Sequence, residues 1–308
     1  MRVVFIAEED VGANFAMLGV ELRRSGVAQA RVLVVNESKG RLAAPDVPHH
    51  LDRGAEATRL FEGADSVHFV GVDPRTTSLG VRTIESMLTD CRRVVHLDGC
   101  NDSQAKSLRG YADDVGATVF SALPSRCKRY AATLLPPFIP TWQGLFSPIS
   151  RGSRSRADLS RKAVVHASSM APFRHRRKLE DLIDRAEMSV RSNARVDTLV
   201  GVRQELVLRR RRHSNLALGG WEDGIGRSGL ETLAQGIPLI AEVSGETLES
   251  YARLAGGPVP LLPVAELEQV VEQLDPRVEC GVEGAEWSRK LLEPNRYFQM
   301  LRDAWSAA

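Results

Sequence analysis

Apolar positions along the chain fall into short β-branched runs separated by segments with helical spacing. In the first half the runs predict strands at residues 3–7, 32–35, 67–70, 94–97 and 118–121. The intervening patterns predict helices at residues 14–24, 56–61, 81–90 and 126–133. Continuous apolar strands that alternate with helices are typical of a parallel sheet covered on both faces.

A proline-rich break at residues 136–140 interrupts this alternation, and a segment rich in Ser, Arg, Gly and Pro follows it. A second series then predicts strands at residues 163–166, 196–200, 216–218, 238–241 and 259–262. Its predicted helices are residues 177–186, 230–235, 246–254, 264–274, 284–292 and 295–305. The last of these carries Tyr297, Phe298, Leu301 and Trp305 on one face, so it should pack against an apolar surface.

The pattern therefore predicts an α/β fold of two doubly wound, Rossmann-like parallel-sheet domains that face each other across a cleft. We expect an N-terminal domain at residues 1–140, a linker at 141–160 and a C-terminal domain at 161–294. The final helix, residues 295–308, should pack back on the first domain. In such sheets ligands bind beyond the carboxyl ends of the strands.

Composition adds few constraints. The net charge of +2 over 308 residues makes the whole molecule a weak magnet for polyanions. Of 41 basic residues, six are lysine and 35 arginine, which fits either a GC-rich genome or phosphate recognition by guanidinium groups. The four cysteines form no CxxC pair, so we expect no metal site and reduced thiols, as in the cytoplasm. The first residues indicate a strand rather than a signal peptide, and no apolar run reaches membrane-spanning length.

Residues 223–231, DGIGRSGLE, are the most informative segment. A helix is expected to begin near Ser228, where backbone amides favour phosphate, and the Glu231 carboxylate one turn later can hold a ribose. Two other interpretations are open. The glycines match the G-x-G-x-x-G pattern of dinucleotide sites, although residues 219–223 separate them from the preceding strand. Alternatively, Ser228 and Glu231 form a capping box.

The longer run DGIGRSGLETLAQGIPLIAE resembles the signature of retaining GT-B-fold glycosyltransferases of the broad family-four type. Other segments resemble the same family. VVHASS at 164–169 resembles the first strand and loop of its C-terminal domain, and LLPP at 134–137 resembles its hinge. ADSVH at 64–68 and VVHLDG at 94–99 resemble the strand ends of its N-terminal domain. The resemblance covers nearly the whole chain.

This resemblance implies a role for each matching residue. Glu231 would bind the ribose of a nucleotide-sugar, for example a UDP- or GDP-sugar, and Asp223 would face the donor sugar. The diphosphate would meet Gly226, Arg227, Ser228 and Gly229. Arg174 would neutralise the leaving phosphate, with Lys178 of the same basic segment on the nucleotide, unless this segment is only a solvated helix start. Fixed cations and helix amides would stabilise the leaving group without a metal or a cofactor.

On the acceptor side, His68 and Asp98 are expected to end parallel strands and face the cleft. His68 is either a residue near the substrates or a structural histidine, and Asp98 either a base for an acceptor hydroxyl or a loop acid. Gly12 and Asn14 match the family's first loop, although turn chemistry explains them equally well.

The basic run at residues 209–212 reads as a solvated helix surface or, alternatively, as a contact for an anionic acceptor such as DNA or an acidic lipid surface. The expected function is sugar transfer from a nucleotide-sugar to an unidentified acceptor, which includes a phage-type modified DNA base or a virion protein. The rivals are a nucleotide-sugar epimerase, an NAD-dependent oxidoreductase and a non-catalytic protein that kept the fold.

Overall fold

The structure, a computed structural model, describes residues 1–8, 14–36, 53–141, 143–148, 163–168, 176–190, 194–199, 202, 204–219, 224–274 and 282–306. Packing divides the chain into two units. Unit 1 comprises Met1–Phe138 together with Pro294–Ala308, and unit 2 comprises Ile139–Glu293.

Unit 1 contains a six-stranded parallel sheet in the order β2-β1-β3-β6-β7-β8 and a separate two-stranded antiparallel ribbon, β4-β5. Its strands are β1 (Arg2–Ala7), β2 (Gln29–Val34), β3 (Ser66–Val70), β4 (Ser78–Leu79), β5 (Arg82–Thr83), β6 (Arg92–His96), β7 (Thr118–Ser121) and β8 (Thr133–Leu134). Its first four helices are α1 (Asn14–Arg24), α2 (Arg53–Phe61), α3 (Asp102–Val115) and α4 (Pro124–Tyr130). Every residue of β3 is buried, as expected for a central parallel strand.

Unit 2 contains a five-stranded parallel sheet in the order β10-β9-β11-β12-β13. Its strands are β9 (Ala163–Ser168), β10 (Ala194–Leu199), β11 (Leu216–Leu218), β12 (Leu239–Ile240) and β13 (Leu261–Leu262). Its helices are α5 (Arg176–Ser189), α6 (Gln204–Arg211), α7 (Gly226–Ala234), α8 (Gly245–Ala255), α9 (Leu267–Glu272) and α10 (Val282–Leu291).

The last helix, α11 (Pro294–Ser306), belongs to unit 1 although it follows all of unit 2 in the chain. Its Tyr297 hydroxyl donates to the Pro136 carbonyl over 3.1 Å, and the Tyr297 ring packs edge-on against Phe138. Tyr297, Phe298, Leu301 and Trp305 are all buried. The apolar face of this helix therefore completes the core of unit 1.

The two parallel sheets with flanking helices confirm the predicted α/β class, but one helix predicted in the first half is wrong and another helix was missed. Residues 81–90 were expected to form a helix, whereas Gly80, at a φ of +67°, turns β4 back onto β5, and only the 3₁₀ turn Glu85–Met87 is helical. The 14-residue helix α3 was not predicted at all.

Part of the expected linker is packed rather than extended. Residues 143–148 of the predicted linker at 141–160 are described, and they contain the 3₁₀ helix Gly144–Phe146, in which Phe146 is buried. The Leu145 carbonyl accepts a hydrogen bond from Gln235 Nε2 over 2.6 Å. This segment therefore packs against the rest of unit 2. Among the described residues, no helix is both long enough and apolar enough to cross a membrane.

Candidate functional site

The strand order of unit 2 indicates where a ligand would bind. The chain runs from β9 to β10 on one side and then places β11 on the other side of β9, so the strand order reverses between β9 and β11. Ligands of doubly wound sheets bind at such a point, beyond the carboxyl ends of the strands. The helix that follows β11 is α7, so its N-terminus lies at this edge.

Several predicted site residues of this edge lie outside the residues that the structure describes. Arg174 follows β9 in the segment 169–175, and Asp223 precedes α7 in the segment 220–223. Lys178 belongs to the first turn of α5, but its side chain is not among those described. Gly12, in unit 1, lies in the segment 9–13. Their roles remain predictions.

Helix α7 begins at Gly226, two residues earlier than expected. Gly226 has a φ of +67°, a conformation that favours glycine because it lacks a β-carbon. Ile225 is the N-cap residue and makes no side-chain cap hydrogen bond. The capping-box interpretation of Ser228 and Glu231 is therefore wrong.

Glu231 lies at the centre of a buried hydrogen-bond network. Its Oε1 accepts from Gln204 Nε2 at 2.7 Å and from Arg227 Nε at 2.8 Å, and its Oε2 accepts from an Arg211 terminal nitrogen at 3.0 Å. Arg211 also donates to the carbonyl and the hydroxyl of Ser228, at 3.1 and 3.0 Å. The side chains of Arg211 and Glu231 are only 1% and 4% exposed, so this is a buried ion pair.

The arginines keep this carboxylate ionised. Burial acts to raise the pKa of Glu231, but the charges of Arg227 and Arg211 and their hydrogen bonds hold it below its ordinary value. Burial lowers the pKa of Arg211, and Glu231 opposes that shift. A buried ion pair of this kind depends on both partners, because removing either leaves the other charge uncompensated.

Arg227 leaves part of its hydrogen-bonding capacity unused. Its Nε is bound to Glu231, but both terminal nitrogens are buried and have no hydrogen-bond partner among the described residues. In a helix that begins at Gly226, the amides of residues 225–227 also point to its N-terminal end, where no carbonyl of the helix can accept from them. Two guanidinium nitrogens and the positive end of a helix at a topological switch point favour an anion, and phosphate oxygens fit them best.

Gly229 serves packing rather than ligand binding. A helix starting at Gly226 directs the Gly229 amide to the Ile225 carbonyl, so this amide is used within the helix. A β-carbon on Gly229 would lie 2.7 Å from an Ile225 side-chain carbon and 3.1 Å from one of Leu239. The glycine therefore lets α7 approach β12 closely.

In unit 1, Asp98 follows β6 at the carboxyl edge of the sheet. Its Oδ1 accepts from the Ala122 amide at 2.8 Å and from the Ser121 hydroxyl at 3.3 Å. Burial raises the pKa of Asp98 to about 6, against the opposing effects of the Ala122 amide and the Arg126 charge. Arg126 also donates to the Leu97 and Cys100 carbonyls, which fixes the loop that carries Asp98. A rigid carboxylate that titrates near neutrality is suited to proton transfer.

Glu8 was not singled out by the sequence analysis, yet it lies at the same edge. Glu8 follows β1, and its amide donates to the Val70 carbonyl over 3.0 Å. Gly71, at a φ of +67°, lies between the two acids: a β-carbon there would be 3.5 Å from the Asp98 carbonyl and 3.7 Å from Glu8 Oε2. The strand-final position of Glu8, before two further acids, was the available signal.

His68 does not lie at a strand end, and that prediction is wrong. It is the third residue of β3 and is fully buried. Trp305 Nε1 donates to His68 Nε2 over 2.8 Å, so the proton of His68 is on Nδ1, which then donates to His96 Nε2 over 2.9 Å. Burial, with a smaller effect of His96, lowers the pKa of His68 well below its ordinary value, and burial lowers that of His96 to about 3. The geometry supports the structural interpretation.

Two further predictions concern Asn14 and the basic run. Asn14 begins α1, and its buried Oδ1 has no hydrogen-bond partner among the described residues. The basic run is not uniformly solvated as expected: Arg209 and Arg210 are exposed and Arg212 is partly buried, whereas Arg211 points inward to Glu231. The described part of the chain contains no group of three His, Cys, Asp or Glu side chains that could hold a metal ion.

Comparison with known proteins shows what the fold resembles. No family model matches the sequence, and no curated protein matches it either. Among solved structures, a glycosyltransferase from Rickettsia africae ESF-5 matches 99% of this chain and 97% of its own, with a TM-score of 0.58 and 10% identity. AviGT4, a glycosyltransferase involved in avilamycin A biosynthesis, matches 99% of this chain and 97% of its own, with a TM-score of 0.50 and 13% identity. The likeness confirms the expected GT-B fold.

Proposed function

We propose that the protein is a glycosyltransferase that moves a sugar from a nucleotide-sugar to an acceptor hydroxyl, with retention at the anomeric carbon and without a metal or a cofactor. The observation that carries the proposal is Arg227, whose two terminal nitrogens are buried without partners at the start of α7. Because α7 begins beside the switch point of unit 2, a diphosphate placed there would meet both the guanidinium and the positive end of the helix.

In this proposal Glu231 has two tasks. Its Oε1, with two donors, orients Arg227. Its Oε2 accepts only from Arg211 among the described residues, so this oxygen can take one more donor, such as a ribose hydroxyl. We therefore propose that Glu231 makes the ribose contact implied by the family resemblance through Oε2.

The reaction breaks the bond between the anomeric carbon and a diphosphate oxygen and forms one to the acceptor oxygen. Negative charge grows on the leaving diphosphate, so cations fixed before the reaction stabilise the transition state more than the ground state. Arg227 supplies one such cation, and we propose Arg174 as a second and Asp223 as a contact of the donor sugar. With retention in one step, the acceptor attacks on the face that the diphosphate leaves, so the departing phosphate oxygen takes the acceptor proton. We propose that Asp98 accepts a hydrogen bond from the acceptor hydroxyl through Oδ2, which has no partner among the described residues.

Replacing Arg227 tests the donor site. Arg227→Gln should weaken binding of a nucleoside diphosphate about 10- to 100-fold, since hydrogen bonds to charged groups contribute about 1.5–3 kcal/mol. Titration calorimetry with UDP, GDP, ADP and TDP measures the effect. Binding of the unphosphorylated nucleoside should change little, because it has no phosphate for the guanidinium to hold.

Arg210→Gln is the matched control, because it removes the same charge from an exposed arginine of unit 2. The proposal fails if the two variants bind a nucleoside diphosphate equally, or if Arg227→Gln weakens the nucleoside as much as its diphosphate. A thermal-shift panel of the four nucleotide-sugars beside NAD then identifies the donor, since a ligand at 100 times its Kd adds about 2.7 kcal/mol of stability. The anomeric configuration of the product decides between retention and inversion.

A further inference from the structure

Unit 2 has a cavity of about 570 Å³ away from the proposed donor site. It is lined by Gln143, Gly144, Leu145, Arg209, Arg212 and His213. Its volume is within the range of about 300–1,000 Å³ that is usual for small-molecule sites. Three of its six lining residues are basic, and none is acidic.

The cavity lies at the opposite edge of the sheet from the start of α7. Helix α6 connects the carboxyl end of β10 to the amino end of β11, and Arg209, Arg212 and His213 lie at or just beyond the end of α6. Since parallel strands have all their carboxyl ends at one edge, the end of α6 is on the other. A ligand here would therefore be distinct from the donor proposed above.

Arg212 is the residue that distinguishes this cavity from an ordinary basic surface. The dipole of a helix favours basic side chains in its last turn, which explains the position of the exposed Arg209. Arg209 also forms a 2.7 Å ion pair with Glu205. That does not account for Arg212, which lies after the helix and is partly buried. Its Nε is buried and has no hydrogen-bond partner in the described part of the chain. Burial lowers the pKa of Arg212, as expected for a cation that has no acidic partner among the described residues.

We propose that this cavity binds a small ligand that carries a phosphate group, with Arg212 as its principal contact and His213 and the Gly144 backbone amide as neighbours. A guanidinium offers paired donors that match phosphate oxygens.

A small ligand fits better than a nucleic acid. Proteins that bind duplex DNA neutralise on the order of 6–10 phosphates along an extended surface. Here Arg211 is buried in the ion pair with Glu231 and Arg209 is bound to Glu205, so the basic run leaves few cations for a phosphate chain. Of the two arginines that remain, Arg212 lines the cavity and Arg210 lies outside it, so the site suits one phosphate group rather than a chain of them.

The test uses inorganic pyrophosphate as the probe, titrated by calorimetry into the full-length Arg227→Gln protein, in which the donor site is weakened. Adding Arg212→Gln should reduce affinity at least tenfold, whereas adding Arg210→Gln, an exposed neighbour outside the cavity, should change it less than twofold. Arg212→Lys, which keeps the charge but loses the paired donors, should fall between them. Melting temperatures confirm that each variant is folded.

Equal losses in the Arg212→Gln and Arg210→Gln proteins would overturn the proposal, as would undiminished binding in Arg212→Gln. Tighter binding of a 20-base-pair duplex than of pyrophosphate, with equal contributions from Arg210 and Arg212, would replace the cavity by a DNA surface. The two proposals have different readouts. The donor proposal is judged by binding of nucleoside diphosphates to Arg227→Gln, and the cavity by the difference between Arg212→Gln and Arg210→Gln in one background, so either can fail while the other holds.

Discussion

Glu231 shows how the environment of one residue changes the experiment that tests it. Because its side chain is 4% exposed and neutralises Arg211, whose side chain is 1% exposed, its removal is a structural change as well as a change of ligand site. No pattern in the sequence relates these two residues, which are 20 positions apart. The basic run suggested a surface, and only the fold shows that one of its four arginines points inward.

Glu231→Ala should lower the free energy of unfolding of unit 2 by about 3–5 kcal/mol, because it leaves the Arg211 charge buried and uncompensated. Urea denaturation measures this loss. Glu205→Ala, which removes the exposed partner of Arg209, should cost no more than about 1 kcal/mol. If the two variants are equally stable, the Arg211–Glu231 pair is solvated in solution.

Buried histidines give a second residue-scale prediction. His166, in the middle of β9, has two buried ring nitrogens without hydrogen-bond partners among the described residues, and burial, with a smaller effect of Arg211, lowers its pKa to about 3. An unfolded histidine binds a proton near pH 6.5, whereas this one stays neutral. Its contribution to stability is therefore present above pH 6.5 and is lost as the pH falls toward 3, by about 1.4 kcal/mol per pH unit.

His166→Leu should make unit 2 less sensitive to acid, because it removes the titrating group and fills a similar volume with apolar atoms. Urea denaturation between pH 7.5 and 4.5 compares the slopes. Parallel curves for His166→Leu and the wild type would show that folding does not lower the pKa of His166.

At the scale of elements, strands were predicted better than the connections between them. All ten predicted strands correspond to observed ones within a few residues, because buried parallel strands are short runs of β-branched residues. Helix α3 was missed although it has a local signal: Asn101 and Gln104 form a capping box, and Gly116 ends the helix at a φ of +67°. The segment at 81–90 misled because Ile84 and Met87, both buried, have helical spacing within a 3₁₀ turn.

Two helical glycines allow a matched test of how α7 packs. Gly229→Ala should destabilise unit 2 by about 1–3 kcal/mol, because the new methyl group would overlap Ile225 and crowd Leu239. Gly110→Ala, on the exposed face of α3 with open space around it, should stabilise unit 1 by about 0.5–1 kcal/mol. Thermal denaturation compares the two. A neutral Gly229→Ala would mean that α7 can move away from β12 at little cost.

At the scale of the whole molecule, unit 1 is built from both ends of the sequence. Helix α11 supplies the Trp305 donor to buried His68 and the Tyr297 hydroxyl to the Pro136 carbonyl. The aromatic face of this helix was predictable from its spacing, but its hydrogen bond to a histidine 237 positions away was not. Trp305 thus determines which ring nitrogen of His68 carries the proton, although no local sequence pattern connects the two residues.

Truncation after Glu293 should therefore unfold or strongly destabilise unit 1 while unit 2 keeps its own transition. Removing α11 exposes the apolar surface under Tyr297, Phe298, Leu301 and Trp305 and leaves His68 Nε2 without its donor. Amide hydrogen exchange measures the two sheets separately. Protection of the backbone amides should be lost in β1 and β3 and kept in β9 and β11. Retained protection in β3 would show that α11 is dispensable.

The discontinuity of unit 1 also sets an order of events at the ribosome. Met1–Phe138 emerges first but lacks α11, and the whole of Ile139–Glu293 must be synthesised before Pro294 appears. At ~5–20 residues per second this interval is about 8–30 seconds, longer than most single domains need to fold. Unit 2, though second in the chain, is thus the first that can be finished, and nascent unit 1 waits with the surface for α11 uncovered. A chain of this design depends more on chaperones for its first half than for its second.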